Sequence, residues 1–172
     1  MKLIMKIIFI VGVLALENCA SPASKEGMTL KGFDSIRKLN ETIFVAESIG
    51  GSETNPFLIS KVGNEDLSKA LKDSIEGSKI FSGLKNSVDS GWLLKTEIIK
   101  QEQPYFSFAT DCRLTIKYSL FKSNSLVKEF TIEKTGSASL KDSLRPVKRI
   151  QIVNENAAKA NISSFLNELT KL

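Results

Sequence analysis

The residue in this sequence with the most specific chemistry open to it is Cys19, because of what precedes it. The chemistry is acylation: a cysteine at the head of an exported chain is a site for lipid. Lys2 and Lys6 give a positive start, and Ile7, Ile8, Phe9, Ile10, Val11, Val13, Leu14 and Leu16 form an apolar run closed by Glu17. The run is shorter than the ~20 apolar residues a helix needs to span a bilayer. A basic start, a short apolar core and then a junction is the layout of a secretory signal peptide.

The junction reads Leu16-Glu17-Asn18-Cys19, followed by Ala20-Ser21. It resembles a bacterial lipobox, in which signal peptidase cuts just before a cysteine that carries lipid. Glu17 and Asn18 stand where the common pattern has small residues. This reading makes residues 1–18 a lipoprotein signal peptide and places the lipidated Cys19 first in the mature chain. An ordinary cleaved leader with Cys19 incidental is the alternative. Each buried methylene contributes ~0.8 kcal/mol, so one acyl chain holds only marginally, whereas two or three hold essentially permanently. The expected partner is therefore a membrane, reached through acyl chains on Cys19. Residues 19–40 read as the lipidated cysteine and a flexible tether, since Ala20 to Lys31 is rich in Ser, Lys and Gly. Ala20 is not the aspartate that often retains lipoproteins at an inner membrane, which favours the outer membrane of a bacterial envelope.

Other chemistry is scarce. The 172 residues contain no histidine, which removes the commonest general base and metal ligand. There is no Gly-x-Ser-x-Gly elbow, phosphate-binding loop, metal-spaced cysteine set or dinucleotide fingerprint. The expectation is a protein without catalytic residues, metal or cofactor, and without a small-molecule substrate. Glu97 and Asp111 are carboxylates near strands and read as solvated charges. The net charge of +5 comes from scattered lysines rather than a basic stripe with stacking aromatics, so nucleic acid is not an expected partner. Cys112 falls on an apolar strand face and reads as a buried, inert thiol. Two features are candidate contacts. Arg145, Lys148 and Arg149 gather at a helix start, where positive charge opposes the dipole, as an anionic lipid or acidic partner would favour. Tyr105 points away from the core face that Phe106 and Phe108 continue, as part of an aromatic ledge.

The elements that position these residues follow from periodicity. Hydrophobic content of 42% and charged content of 25% suit a globular domain, here residues 41–172. Ile43 to Ala46 reads as a first strand. Asn64 to Ser78 has Leu67, Ala70, Leu71, Ser74 and Ile75 at helical spacing, with Asn64 as N-cap. Ile80-Phe81 re-enters the core and Gly83 turns the chain. Trp92 to Lys100, Phe106 to Leu120 and Leu126 to Thr135 alternate with period two, the second being long enough to require a bulge near Thr110. Lys122 to Ser125 is a turn, and Pro146 precedes a helix over Val147 to Leu169. The expected fold is α+β, with three to four antiparallel strands, two helices packed on one face and the order β-α-β-β-β-α.

In that order, three segments resemble a known group. Ser60 to Ile75 continuing to Ile80-Phe81, the strand Leu114-x-Ile116-x-Tyr118-x-Leu120, and Ala157-Ala158-x-Ala160-Asn161-Ile162 with Phe165, Leu166 and Leu169 resemble small bacterial envelope lipoproteins of the transport-auxiliary or YajG-like kind. The resemblance spans roughly residues 42 to 170 and rests on packing positions. It implies a non-enzymatic, envelope-anchored protein that assists a transport or assembly complex through protein contacts. A surface-exposed lipoprotein binding extracellular or host ligands is the alternative.

Overall fold

The computed structural model describes residues 20–55, 59–88, 90–103 and 111–172. A helical turn, α1 (Lys25–Met28), opens the described chain. Then come β1 (Leu39–Val45), α2 (Asn64–Ser78), β2 (Phe81–Lys85), β3 (Trp92–Glu102), β4 (Asp111–Lys122), β5 (Ser125–Ser137) and α3 (Pro146–Leu169). The strands form one sheet in the order β2-β1-β3-β4-β5. β1 runs parallel to both β2 and β3, while β3, β4 and β5 form an antiparallel meander. Parallel neighbours need a crossover rather than a hairpin, and α2 supplies it between β1 and β2.

The meander follows from its turns and its alternation. Ser123 and Asn124 both have positive φ, 49° and 64°. That is the two-residue hairpin geometry whose twist matches paired strands. Along β4, Cys112, Leu114, Ile116, Tyr118 and Leu120 are fully buried, and Arg113, Thr115 and Lys117 face the other way. Trp92, Leu94, Thr96 and Ile98 of β3 lie on the same buried face. A register shift follows Ile98. The bulge expected near Thr110 lies outside the described residues, as do Phe106 and Phe108.

α2 buries Leu67, Ala70, Leu71, Ser74 and Ile75, the stripe that the spacing predicts. α3 buries Val153, Ala157, Ala158, Asn161, Ile162, Phe165, Leu166 and Leu169. Phe165 stacks on Tyr118 at 4.1 Å between centroids and meets Phe130 edge-on at 6.0 Å. Both helices therefore cover one sheet face. The other face carries cross-strand ion pairs, Lys117–Glu97 at 2.7 Å and Arg113–Glu133 at 3.4 Å among them.

The α+β class holds, but the sheet differs from expectation in number and direction. It has five strands and is mixed. Gly83 does not turn the chain: it sits within β2, paired opposite Thr42. A five-residue strand interrupted by glycine has almost no period of its own, and its partner lies across a helix. Asn64 is the first residue of α2, not its cap. The cap is Gly63, and the Asn64 Oδ1 instead accepts the Gly51 N–H at 2.7 Å. Within the tether expected over residues 19–40, the described segment from Ala23 to Leu30 packs on the domain. Ala23 and Met28 are fully buried in the core, and the Leu30 N–H donates to Ser74 Oγ at 2.9 Å.

Candidate functional site

The described chain begins at one end of the domain, and what holds it there is a carboxylate. Ala23 donates its N–H to the Lys61 carbonyl at 3.0 Å. Ser24 donates both its backbone N–H, at 2.9 Å, and its hydroxyl, at 2.7 Å, to Glu155 Oε1. Gln151 Nε2 donates to the same oxygen at 2.9 Å. Ser24 Oγ accepts the Gly27 N–H at 3.1 Å and so caps α1. Glu155 is largely buried on α3, and an ideal Cβ at Gly27 would stand 2.1 Å from its carboxyl carbon. Glycine at position 27 thus leaves the room that the carboxylate occupies. A buried carboxylate is tolerated because it is hydrogen-bonded. Glu155 is hard to find in the sequence. Its only signal was a charged residue between Val153 and Ala157 on the apolar side of a helix.

The chain ends that meet here are fixed by the topology. Gln101 near the end of β3 donates to Asn154 Oδ1 at 3.0 Å, and Asn154 donates to the Ser60 carbonyl at 2.8 Å. Gly136 near the end of β5 packs directly on α3: an added Cβ would lie 2.2 Å from the Val153 carbonyl oxygen and 2.3 Å from the Ala157 nitrogen. The first turns of α3, the loop before it, the end of β3 and the start of β4 therefore share one end of the domain with Ala20. A groove of about 520 Å³ lies alongside, lined by Ala20, Pro22, Gly51, Glu53, Asn64, Glu65 and Asp66 among others. Lys69 holds the Glu65 carboxyl below the usual carboxylate range by hydrogen bond and charge.

Cys19 and Tyr105 lie outside the described residues. The three cations expected as a cluster differ in exposure. Arg149 is buried, and its guanidinium donates to the Ser143 and Leu144 carbonyls at 2.8 and 3.2 Å. It staples the loop to the helix and so is turned away from any partner. Arg145 and Lys148 are exposed, and Lys148 Nζ donates to Gln151 Oε1 at 3.0 Å. Glu97 is paired with Lys117, and Asp111 lines a shallow recess with Glu102, Gln103, Arg113 and Thr135. Cys112 is buried, which pushes its thiol up to about 11, so it stays protonated and weakly nucleophilic at neutral pH. Among the described residues, no three His, Cys, Asp or Glu side chains stand together as a metal site. No helix among them is long and apolar enough to cross a membrane.

No family model matches the sequence, and no curated protein is similar to it in sequence. Solved structures do share its fold. A Xanthomonas campestris protein of the family DUF330 superposes with a TM-score of 0.55 at 11% identity, covering 88% of this chain and 93% of that one. A hypothetical protein of Chlamydia trachomatis gives a TM-score of 0.50 at 10% identity, over 77% of this chain and 95% of that one. A minor lipoprotein of Acinetobacter baumannii gives 0.48 at 9% identity, over 76% and 93%. At such identities the first two likenesses are of fold alone.

Proposed function

We propose that this chain is a non-catalytic lipoprotein of a bacterial envelope, held by acyl chains on Cys19 and serving an envelope complex through protein contacts. The transport-auxiliary role, the outer membrane as its location and the YajG-like assignment belong to this reading.

The observation that carries it is the way the chain after Cys19 is received by the domain. Ala23 and Ser24 are fixed to α3 and to the loop before α2 by the bonds described above. Only Ala20, Ser21 and Pro22 separate Cys19 from the first clamped residue. At ~3.3–3.6 Å per residue they reach roughly 10–15 Å. A chain whose head carries lipid gains a defined posture from such a short leash, whereas a chain with a free terminus gains nothing comparable. The DUF330 superposition supports the reading at the level of fold.

The test is metabolic labelling of the full chain with radioactive palmitate, together with detergent partitioning, beside a Cys19→Ser variant. The reading expects label and detergent-phase partitioning in the parent and neither in the variant. Equal behaviour of the two overturns it. Pull-down from solubilised envelopes with mass spectrometry then tests the accessory role: recovery of transport components supports it, and an empty result contradicts it. Protease protection in intact cells is expected for this reading, and digestion would favour a surface-exposed ligand binder.

A further inference from the structure

The loop between β5 and α3 sets two strongly exposed leucines among exposed cations. Leu140 and Leu144 are 63% and 82% exposed. Lys141, Arg145 and Lys148, all exposed, flank them. The loop is not slack. Arg149 grips the Ser143 and Leu144 carbonyls, and the Asp142 carboxylate accepts the Ser139 N–H at 2.7 Å and its hydroxyl at 2.8 Å. Those bonds hold the Asp142 carboxyl below its usual range and turn its charge back into the loop. Two leucines are thus held outward by a built scaffold, with cations beside them. Other acidic groups at this end are Glu53, Glu65 and Asp66 in the groove at the start of α2, and Glu102 and Asp111 in the recess with Arg113, where Glu102 pairs with Lys100 and Arg113.

We infer that this loop is a second, non-covalent membrane contact: Leu140 and Leu144 enter the interfacial layer while Lys141, Arg145 and Lys148 meet anionic lipid headgroups. The inference rests on the lipid-anchor reading, because it uses the place of Cys19 in the sequence, just before Ala20. The loop and Ala20 share one end of the domain, and the leash allows only roughly 10–15 Å between lipid and body. The end that carries the loop must then lie near the bilayer. Apolar side chains rimmed by cations are the composition that binds an anionic interface, and each Lys or Arg near such a surface contributes about a fivefold bias toward it. The consequence is a fixed orientation, with the Ile36 end of the domain, beside the end of α3, pointing away from the membrane.

The experiment uses the full chain, acylated in a bacterial host and reconstituted into vesicles of phosphatidylethanolamine and phosphatidylglycerol. Leu144→Cys and, separately, Ile36→Cys carry an environment-sensitive fluorophore, the buried Cys112 being unreactive. A quencher sits on the lipid acyl chains. The expected result is strong quenching at position 144 and none at position 36. Quenching at 144 should fall to the level of 36 when Lys141, Arg145 and Lys148 are all changed to Glu, or when the vesicles are phosphatidylcholine alone. Acylated, vesicle-bound protein with position 144 unquenched overturns this inference and leaves the anchor standing. Quenching that ignores both lipid charge and charge reversal overturns the assigned role of the cations. Absence of palmitate on Cys19 overturns the anchor, and this inference with it.

Discussion

Replacing Asn161 by Ala should destabilise the domain strongly, and the structure gives the size. Asn161 is fully buried. Its Nδ2 donates to the Leu114 carbonyl at 3.0 Å and to the Ile132 carbonyl at 2.8 Å, and its Oδ1 accepts the Tyr118 hydroxyl at 3.0 Å. One side chain thereby ties α3 to β4 and β5. Burial raises the Tyr118 hydroxyl well above its ordinary range, so it remains a donor at any working pH. Truncation leaves two buried polar groups and the part-buried Ile132 carbonyl without these partners, each at ~1–3 kcal/mol, and since neighbouring losses are not additive the sum should be about 4 kcal/mol. In a domain of this size that lowers the melting temperature by roughly 10 °C. Urea unfolding of the mature chain followed by the fluorescence of Trp92, the single tryptophan, measures it. Asn161→Asp keeps the acceptor for Tyr118 but sets a carboxylate against two carbonyls. Its carboxyl should titrate above the unfolded value of ~3.9. The folded state then favours the protonated form, so the variant is most stable below pH ~4 and weakens as pH rises through its folded pKa. If the Ala variant unfolds within ~1 kcal/mol of the parent, these three groups find other partners and the clasp assigned to Asn161 is refuted.

Four further outcomes follow from the packing. Gly136→Ala should destabilise by ~1–3 kcal/mol, since its Cβ meets backbone atoms of Val153 and Ala157 that cannot swing aside; a neutral thermal shift would contradict that contact. Glu155→Ala should release Ala20 to Leu30, seen as faster amide exchange in that segment while the meander stays protected. Cys112 should resist thiol reagents at neutral pH. Because its folded pKa, about 11, lies above the unfolded value near 8.5, its contribution is complete below the unfolded value and is lost as pH rises toward 11; rapid native-state labelling would disprove its burial. Lys117→Ala should change stability by less than ~1 kcal/mol, since the exposed pair with Glu97 is screened, and chemical denaturation checks it.

What could be read from the sequence was local. α2 and the meander carry their periods openly, and Asn161 stood on the apolar stripe of α3 alongside Ile162 and Phe165. β2 escaped because Phe81 to Lys85 is too short to show a period and its ladder is made with residues some forty positions earlier. The docking of Ala20 to Leu30 escaped for another reason. Its composition is that of a linker, few of its side chains enter the core, Ala23 and Met28 foremost, and its carboxylate partner is a glutamate far along the chain. Arg149 looked like surface charge by type, yet its guanidinium serves two carbonyls of the preceding loop. Cys19 and Tyr105 fall outside the described residues, so the sequence remains their only witness.

The clasp between Ser24 and Glu155 spans 131 positions, and that separation orders events in time. A polypeptide is completed from its amino end, so the first mature residues exist long before α3 does. The β1-α2-β2 unit and the hairpins of the meander can begin to assemble from neighbouring parts, but the opening segment has no seat until the final helix arrives. Closing so wide a circuit costs conformational entropy that local contacts cannot offset in advance. Docking of the head is therefore a late act of assembly, and a chain lacking its last helix would leave its beginning loose.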